Sequence, residues 1–396
     1  HDKKSTTSRF ENLFVGELVA EINGSLQATP DPKALCWCSK KRPANECCPK
    51  SNKPPKFSHP DIVIEDRTCM HAGCSCKAID SHSVPRSQLE HIAHKGHVLV
   101  YKDPPGVFIE FPNPDYKNYH FNFAKQGIGK ASVFKGFCLL HDQGLFRQID
   151  SPQFSLTTEN VFLTAFRAVM YRTRKTINAN KTHVNYKEKV APHYSRVDKD
   201  ALQCLIDQGL LACNTDLPYL SKYSECLNNK NYSRVEYFAL FLNRIPSFLC
   251  NDVCSFIFDG NLQLFSGLDA AAPCEDLVCS VHPHNEGALI IFSHLNISKR
   301  KFFEKFVRTL TSMSLVDMRS AVFIYIFYNF SNILISPMVR GEYVKIAEQL
   351  FSLNRQNNDV LAGQLLGQTL WAQLEIKAFE YKFLAEPAKR QEVIIP

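Results

Sequence analysis

Fifteen cysteines, eight of them within the first 138 of 396 residues, constrain this chain more than any other feature. The eight are Cys36, Cys38, Cys47, Cys48, Cys69, Cys74, Cys76 and Cys138, and six of them stand in close pairs. An odd total, tight pairing and no apolar leader after His1-Asp2-Lys3-Lys4 favour thiolates held by metal in a reducing cytoplasm over a disulfide framework.

The cysteines sit in a chain that has the apolar content to bury two or three cores. Hydrophobic residues make up 45% of it and charged residues 21%, which excludes a mainly disordered chain, a collagen-like repeat and a coiled coil. The net charge of +7 is mild, so an anionic partner is permitted without being required. No apolar run is long enough to span a bilayer. The nearest, Ala321 to Ile335, is broken by Tyr325, Tyr328, Asn329, Ser331 and Asn332, and reads as a buried helix running into a strand. A soluble, cytoplasmic protein without membrane contact is expected.

Five segments follow from pattern. Residues 1–30 carry an amphipathic helix, with Phe10, Leu13, Phe14, Leu18 and Ile22 on one face. Residues 31–58 are basic and Cys-rich, and Pro43, Pro49, Pro54 and Pro55 leave them no core of their own. Residues 59–150 form a second Cys/His-rich unit with strands expected at 98–101 and 107–111. Residues 151–235 are helical and partly basic, with Val161, Phe162, Ala165, Phe166, Val169 and Met170 as an apolar face. Residues 236–396 have an α+β texture. Hairpins are expected around Asp259-Gly260 and around Pro283–Gly287, with helices at 298–312, 316–330, 343–354 and 360–384 covering one face of an antiparallel sheet. The fold class is α+β.

Two constellations have metal-ligand spacing. Cys36-Trp37-Cys38, eight further residues and Cys47-Cys48 supply the four donors that tetrahedral zinc needs. In a segment without a core, zinc binding would supply most of the folding energy, on the order of 10 kcal/mol. This spacing resembles the SEC-C zinc motif, although Ser39-Lys40-Lys41 stands where that family has Gly-Ser-Gly. The resemblance implies zinc and a binding role.

The second constellation comprises Cys69-Met70-His71-Ala72-Gly73-Cys74, then Ser81-His82-Ser83-Val84-Pro85, then Cys138-Leu139-Leu140-His141-Asp142. In this order the parts resemble an HNH nuclease of the His-Me finger class, with a zinc-stabilised ββα treble-clef unit. The resemblance implies that Cys69, Cys74, Cys138 and His141 hold structural zinc, that His82 is the general base, and that Asp142 ligates a catalytic Mg²⁺ or Mn²⁺. Ser81 stands where the family has an acidic residue, so Asp80 is the carboxylate that could substitute. The long interval from His82 to Asp142 requires an insertion near residues 103–130. Phosphodiester hydrolysis needs such groups, a base to deprotonate water and a divalent ion to neutralise charge on the scissile phosphate.

Between Arg167 and Lys199 nine basic residues face two acidic ones, with Tyr171, Tyr186 and Tyr194 interleaved. Arg172, Arg174 and Lys175 are the candidate nucleic-acid contacts, by phosphate neutralisation and base stacking. A solvated helix face is the plainer alternative. Cys250, Cys254, Cys274 and Cys279 lie among apolar strand residues, where cysteine commonly packs as a small hydrophobe. The functional expectation is a metal-dependent nuclease acting on nucleic acid, DNA before RNA, with the C-terminal domain open to a protein partner. By analogy, such an architecture suits an effector of bacterial anti-phage defence. A non-catalytic zinc-dependent module that binds nucleic acid or protein is the alternative.

Overall fold

A computed structural model describes residues 42, 43, 47, 55, 59–102, 122–193, 199–255, 276–296, 302–341, 343–345, 347 and 348. The expected N-terminal helix, the strand at 107–111, the hairpin around Asp259-Gly260 and the helix at 360–384 lie outside these residues, as does most of the helix at 343–354. So do Cys36, Cys38 and Cys48 of the first constellation.

The chain divides into two compact units. Described residues of the first fall within 1–67 and 173–221, and those of the second within 68–103, 119–172 and 222–396.

The first unit is helical. It takes the later part of α3 (Thr158–Lys189) and the earlier part of α4 (Lys199–Asn228). Its core joins Ile62 to Val184, Tyr186, Val190, Leu202 and Ile206. Residues 62–66 have little regular structure, so side chains of α3 satisfy their backbone groups. Thr182 Oγ1 accepts from the Ile64 amide at 2.9 Å, Asn178 Oδ1 accepts from the Asp66 amide at 3.0 Å, and Asn185 Nδ2 donates to the Ile62 carbonyl at 2.7 Å.

The second unit is built on a seven-stranded sheet in the order β3-β2-β9-β6-β7-β8-β5. Its strands are β2 (His97–Lys102), β3 (Asn122–Gly127), β5 (Val235–Leu242), β6 (Phe248–Ser255), β7 (Asp276–His284), β8 (Gly287–Leu295) and β9 (Ile333–Ile335). Every pairing is antiparallel. The mixed α+β class read from sequence holds. The hairpin expected around Pro283–Gly287 is present as β7–β8, turning at Asn285 with φ 52°. Gly287 is required by close approach, since a Cβ there would lie 1.9 Å from the Leu242 carbonyl oxygen.

Alternation explains how the sheet is covered. Cys250, Leu277, Cys279, Val281, Ile290 and Phe292 share one face and pack with α5 (Phe302–Ser312) and α6 (Leu315–Asn329). The amphipathic spacing of Phe303, Phe306, Val307 and Leu310 turns α5 onto that face, where Phe306 meets Phe292 edge-on at 5.1 Å. The stretch from Ala321 to Ile335 is indeed a buried helix running into a strand, α6 into β9. The Asp252 carboxylate ties the turn between them, accepting from the amides of Ser331 and Asn332 at 2.7 and 2.8 Å.

The other face is also buried, where the pattern led us to expect helices on one face alone. Asn251, Ser280 and His282 lie there with Ile291, and Asn251 Nδ2 donates to the Thr164 carbonyl of α3 at 3.3 Å. With both faces covered, β7 and β8 are buried at almost every position rather than at alternate ones. The division between 59–150 and 236–396 is crossed by the sheet, because Leu99 of β2 pairs with Ile335 of β9.

Candidate metal centre

A knuckle, a strand pair and a helix build the site. The knuckle runs from Cys69 to Cys74, turning at Gly73 with φ +76°, a conformation that favours glycine. The strands are β1 (Asp80–His82) and β4 (Val133–Lys135), paired antiparallel with Asp80 opposite Lys135. Backbone bonds dock the knuckle against the chain leaving β4: Met70 N to the Gly136 carbonyl at 2.8 Å and Ile79 N to the Phe137 carbonyl at 2.7 Å. Then α2 (Leu139–Phe146) begins with Cys138 as its N-cap residue, which puts His141 one turn along on the same face.

These elements bring Cys69, Cys74, Cys138 and His141 together, with one donor atom from each within 4.8 Å of all the others. His141 Nδ1 lies 3.5 Å from Cys69 Sγ and 3.3 Å from Cys138 Sγ, and the Cys74 and Cys138 sulfurs are 4.0 Å apart. Tetrahedral zinc with bonds of about 2.3 Å to sulfur and about 2.0 Å to nitrogen sets donors roughly 3.5–3.8 Å apart, so the set fits. It could hold a metal ion such as zinc. The surroundings favour the ligand form at Cys74 and His141 and oppose it at Cys69. The Cys74 thiol is held below its ordinary value chiefly by the Cys76 backbone N–H. Burial pushes the Cys69 thiol up to about 11, against hydrogen bonds from the backbone of Cys138 and His71 that favour its thiolate. Burial and the neighbouring His71, stacked at 3.8 Å and 3° on the His141 ring, keep His141 neutral. A cation among these donors would favour thiolate at all three sulfurs.

The catalytic candidates form no such cluster; among the described residues no group of three metal donors includes His82, Asp80 or Asp142. His82 closes β1, half-buried, and its Nε2 donates to the Ile128 carbonyl at 3.2 Å. Burial, more than any charge, lowers its pKa, so the imidazole is neutral near pH 7. Asp80 is engaged by Lys135, with Lys130 at 3.9 Å, and Lys135 chiefly holds its carboxyl below the ordinary value. Asp142 lies in the first turn of α2, where its Oδ1 is buried without a hydrogen-bond partner.

The basic strip differs from the surface expected. Arg172 Nη1 reaches Asp276 at 3.4 Å, and Arg174, only 4% exposed, pairs with Asp66 at 3.0 Å. Lys181 also reaches Asp66, at 3.4 Å, while Lys175 is exposed. Arg167 is 1% exposed, makes two bonds to the Asp150 carboxylate at 2.5 and 3.2 Å, and lies 4.1 Å over the Phe146 ring. Much of the strip is therefore occupied by internal ion pairs. The sequence carried one signal of this, since Arg167 interrupts a nearly unbroken apolar run from Val161 to Tyr171.

Sequence reasoning also passed over the residues that seat the β1–β4 pair on the sheet. Ser83 Oγ donates to the Asn251 carbonyl at 3.0 Å, and Asn332 Nδ2 donates to Ser132 Oγ at 3.0 Å and to the Asn251 carbonyl at 2.8 Å. Gln88 of α1 (Arg86–Leu89) donates to the Ile149 and Ser151 carbonyls and accepts from His282 Nδ1 at 2.8 Å. Cys250 and Cys279 are core residues of the sheet, and no metal group forms around them among the described residues. No described helix is long and apolar enough to cross a membrane. No family model, no curated protein and no solved structure matches the chain.

Proposed function

We propose that the chain is a metal-dependent nuclease whose catalytic unit is an HNH-like treble clef, held by zinc on Cys69, Cys74, Cys138 and His141. The order knuckle, β1, β4, α2 supports this reading, and the hydrogen bond of His82 carries it. Donation from Nε2 to the Ile128 carbonyl fixes the tautomer, so Nδ1 bears the lone pair. A neutral imidazole with a fixed lone pair can take the proton of a water that attacks a phosphodiester. Asp142, whose Oδ1 has no hydrogen-bond partner, would be the carboxylate for Mg²⁺ or Mn²⁺. Such an ion would supply charge neutralisation at the scissile phosphate. The substrate would be nucleic acid, DNA before RNA, and the setting a cytoplasmic effector in bacterial defence.

A second reading, a zinc-held scaffold that binds nucleic acid or protein without cutting, is favoured by Asp80. Its engagement with Lys135 and Lys130 removes the carboxylate that could replace the one missing at Ser81. Cleavage of plasmid DNA and of RNA in Mg²⁺ or Mn²⁺ separates the two. On the nuclease reading, His82→Ala loses on the order of a hundredfold in rate while zinc content and melting temperature stay unchanged. A wild type that cuts neither polymer, or a His82→Ala that cuts equally well, leaves the scaffold.

A further inference from the structure

Alternation along β1 puts Asp80 and His82 on one face of the strand and the buried Ser81 on the other. Two residues of strand set them about 6.6 Å apart. Across the pair, Lys135 stands opposite Asp80 and bonds to its Oδ1. Lys130 reaches the same carboxylate from the turn after β3, where the Lys130 and Ala131 amides both donate to the Gly127 carbonyl, at 2.9 and 3.1 Å. The carbonyl that orients the His82 ring belongs to Ile128 of that turn. One short turn therefore carries both the acceptor for the imidazole and the ammonium that faces Asp80.

One carboxylate thus faces two ammonium groups, and it holds them unequally. Lys135 is in direct contact, whereas Lys130 stands 3.9 Å from Oδ2 with 77% of its side chain exposed. An exposed pair at that separation is weak, so Lys130 is surplus positive charge beside His82. Neighbouring loops add to it. Lys95 is exposed in the turn whose Gly96 carbonyl accepts from the Ile128 amide at 3.0 Å, and Arg86 is exposed at the start of α1, with Glu90 4.0 Å away.

We propose that Lys130 is a backbone-phosphate contact for nucleic acid, and that Asp80 is the stand-in anion that holds it ready rather than a metal ligand. This rests on the nuclease reading for its partner, nucleic acid, but not on cleavage. When a phosphate arrives, Lys130 leaves the carboxylate and turns to it. Lys135 stays on Asp80 and keeps that charge neutralised, so the phosphate meets no bare carboxylate. The separation of Asp80 from His82 along β1 is comparable with that of successive phosphates on one strand. A phosphate on Lys130 therefore lies next to the one facing His82. The contact is to the backbone alone, so it positions the polymer without reading its sequence. It also replaces Arg172 and Arg174, whose charges are spent on Asp276 and Asp66.

The experiment is a salt titration of binding with the full chain. A short fluorescein-labelled DNA duplex, and its RNA counterpart, are titrated with protein without added Mg²⁺ or Mn²⁺, and the Kd is read by anisotropy across a range of salt. Lys130→Gln should weaken binding on the order of tenfold at about 50 mM salt and lower the slope of log Kd against log salt by about 0.9. Asp80→Asn removes the competing anion and should tighten binding several-fold, a gain that a misfolded variant cannot give. Parallel plots for wild type and Lys130→Gln, or weaker binding by Asp80→Asn, overturn the proposal and leave the nuclease reading standing. Binding of a polyglutamate peptide that matches DNA in strength and in its dependence on Lys130 assigns the surface to an acidic protein and also overturns it. A wild type that binds neither DNA nor RNA overturns the nuclease reading, and the proposal with it. Binding that depends on Lys130, in a protein that cuts neither polymer when Mg²⁺ is added, supports the proposal and removes only the nuclease reading.

Discussion

The knuckle with its two short strands and the sheet it rests on are stabilised by different physics. Strands β1 and β4 have three residues each, and Leu139 and Leu140 at the start of α2 are exposed at 56% and 76%. So little regular pairing cannot offset the entropy of ordering the chain, and the donor cluster is what could. The sheet is the reverse case. Strands β7 and β8 are buried along almost their whole length, and aromatic side chains from α5 and α6 close over them. Apolar burial at roughly 25 cal/mol per Å² is sufficient there, with no metal needed. The two regions meet through polar groups at Ser83, Ser132, Asn251 and Asn332, and Val84 and Ala131 beside the short strands join the apolar core of the sheet.

Removing the metal should therefore affect the two regions very unequally, and this is the largest effect expected. In a protein treated with chelator, or in Cys138→Ser, amides of residues 69–82 and 133–146 should lose hydrogen-exchange protection as a binding free energy on the order of 10 kcal/mol is withdrawn. Amides of β5, β7 and β8 should keep theirs. Uniform loss of protection across the sheet would break the comparison, and would make the donor cluster a keystone of the whole second unit.

A smaller effect belongs to the sheet. His282 is fully buried against Phe154, with ring centroids 4.2 Å apart, and burial lowers its pKa to about 3. A histidine depressed in the folded state from an ordinary value near 6.5 contributes stability that is complete above about pH 6.5. That contribution is lost progressively as pH falls toward the folded value, by up to about 1.4 kcal/mol per pH unit. Urea midpoints measured from pH 7 to pH 4 should fall, and in His282→Phe they should fall less steeply. An identical slope in the variant would place the acid sensitivity elsewhere, with His294, lowered to about 4 by burial, as the next residue to change.

How much of this was legible in the sequence follows the same divide. Metal ligands announce themselves at short range, because a C-x4-C turn and a C-x2-H pair at a helix start are local geometry. Cys69, Cys74, Cys138 and His141 were named through the family resemblance that these local pairs carry, and the structure brings them together. The long helices at α3, α4 and α6 and the β7–β8 hairpin were legible for a like reason, since periodicity and turn chemistry are local. What spacing could not show was every partner supplied from far along the chain. Nothing near Leu99 announces Ile335, and a three-residue strand such as β9 has too few positions to display alternation. Arg172 and Arg174 looked like a binding surface because Asp276 and Asp66 lie far from them in sequence. His82 was singled out for its neighbours in the motif, yet its tautomer is set by the carbonyl of Ile128, near the end of an interval that read only as an insertion.

The central claim is that these four side chains hold one zinc ion. Elemental analysis of protein purified without chelator, comparing wild type with Cys74→Ser, tests it most directly. Cys74 is only half-buried, so the substitution removes a donor without emptying a core position. The account predicts that the variant carries one zinc equivalent fewer per chain than wild type, whatever the segment around Cys47 holds in both. Equal zinc content in the two proteins, or less than one equivalent in wild type, would contradict it.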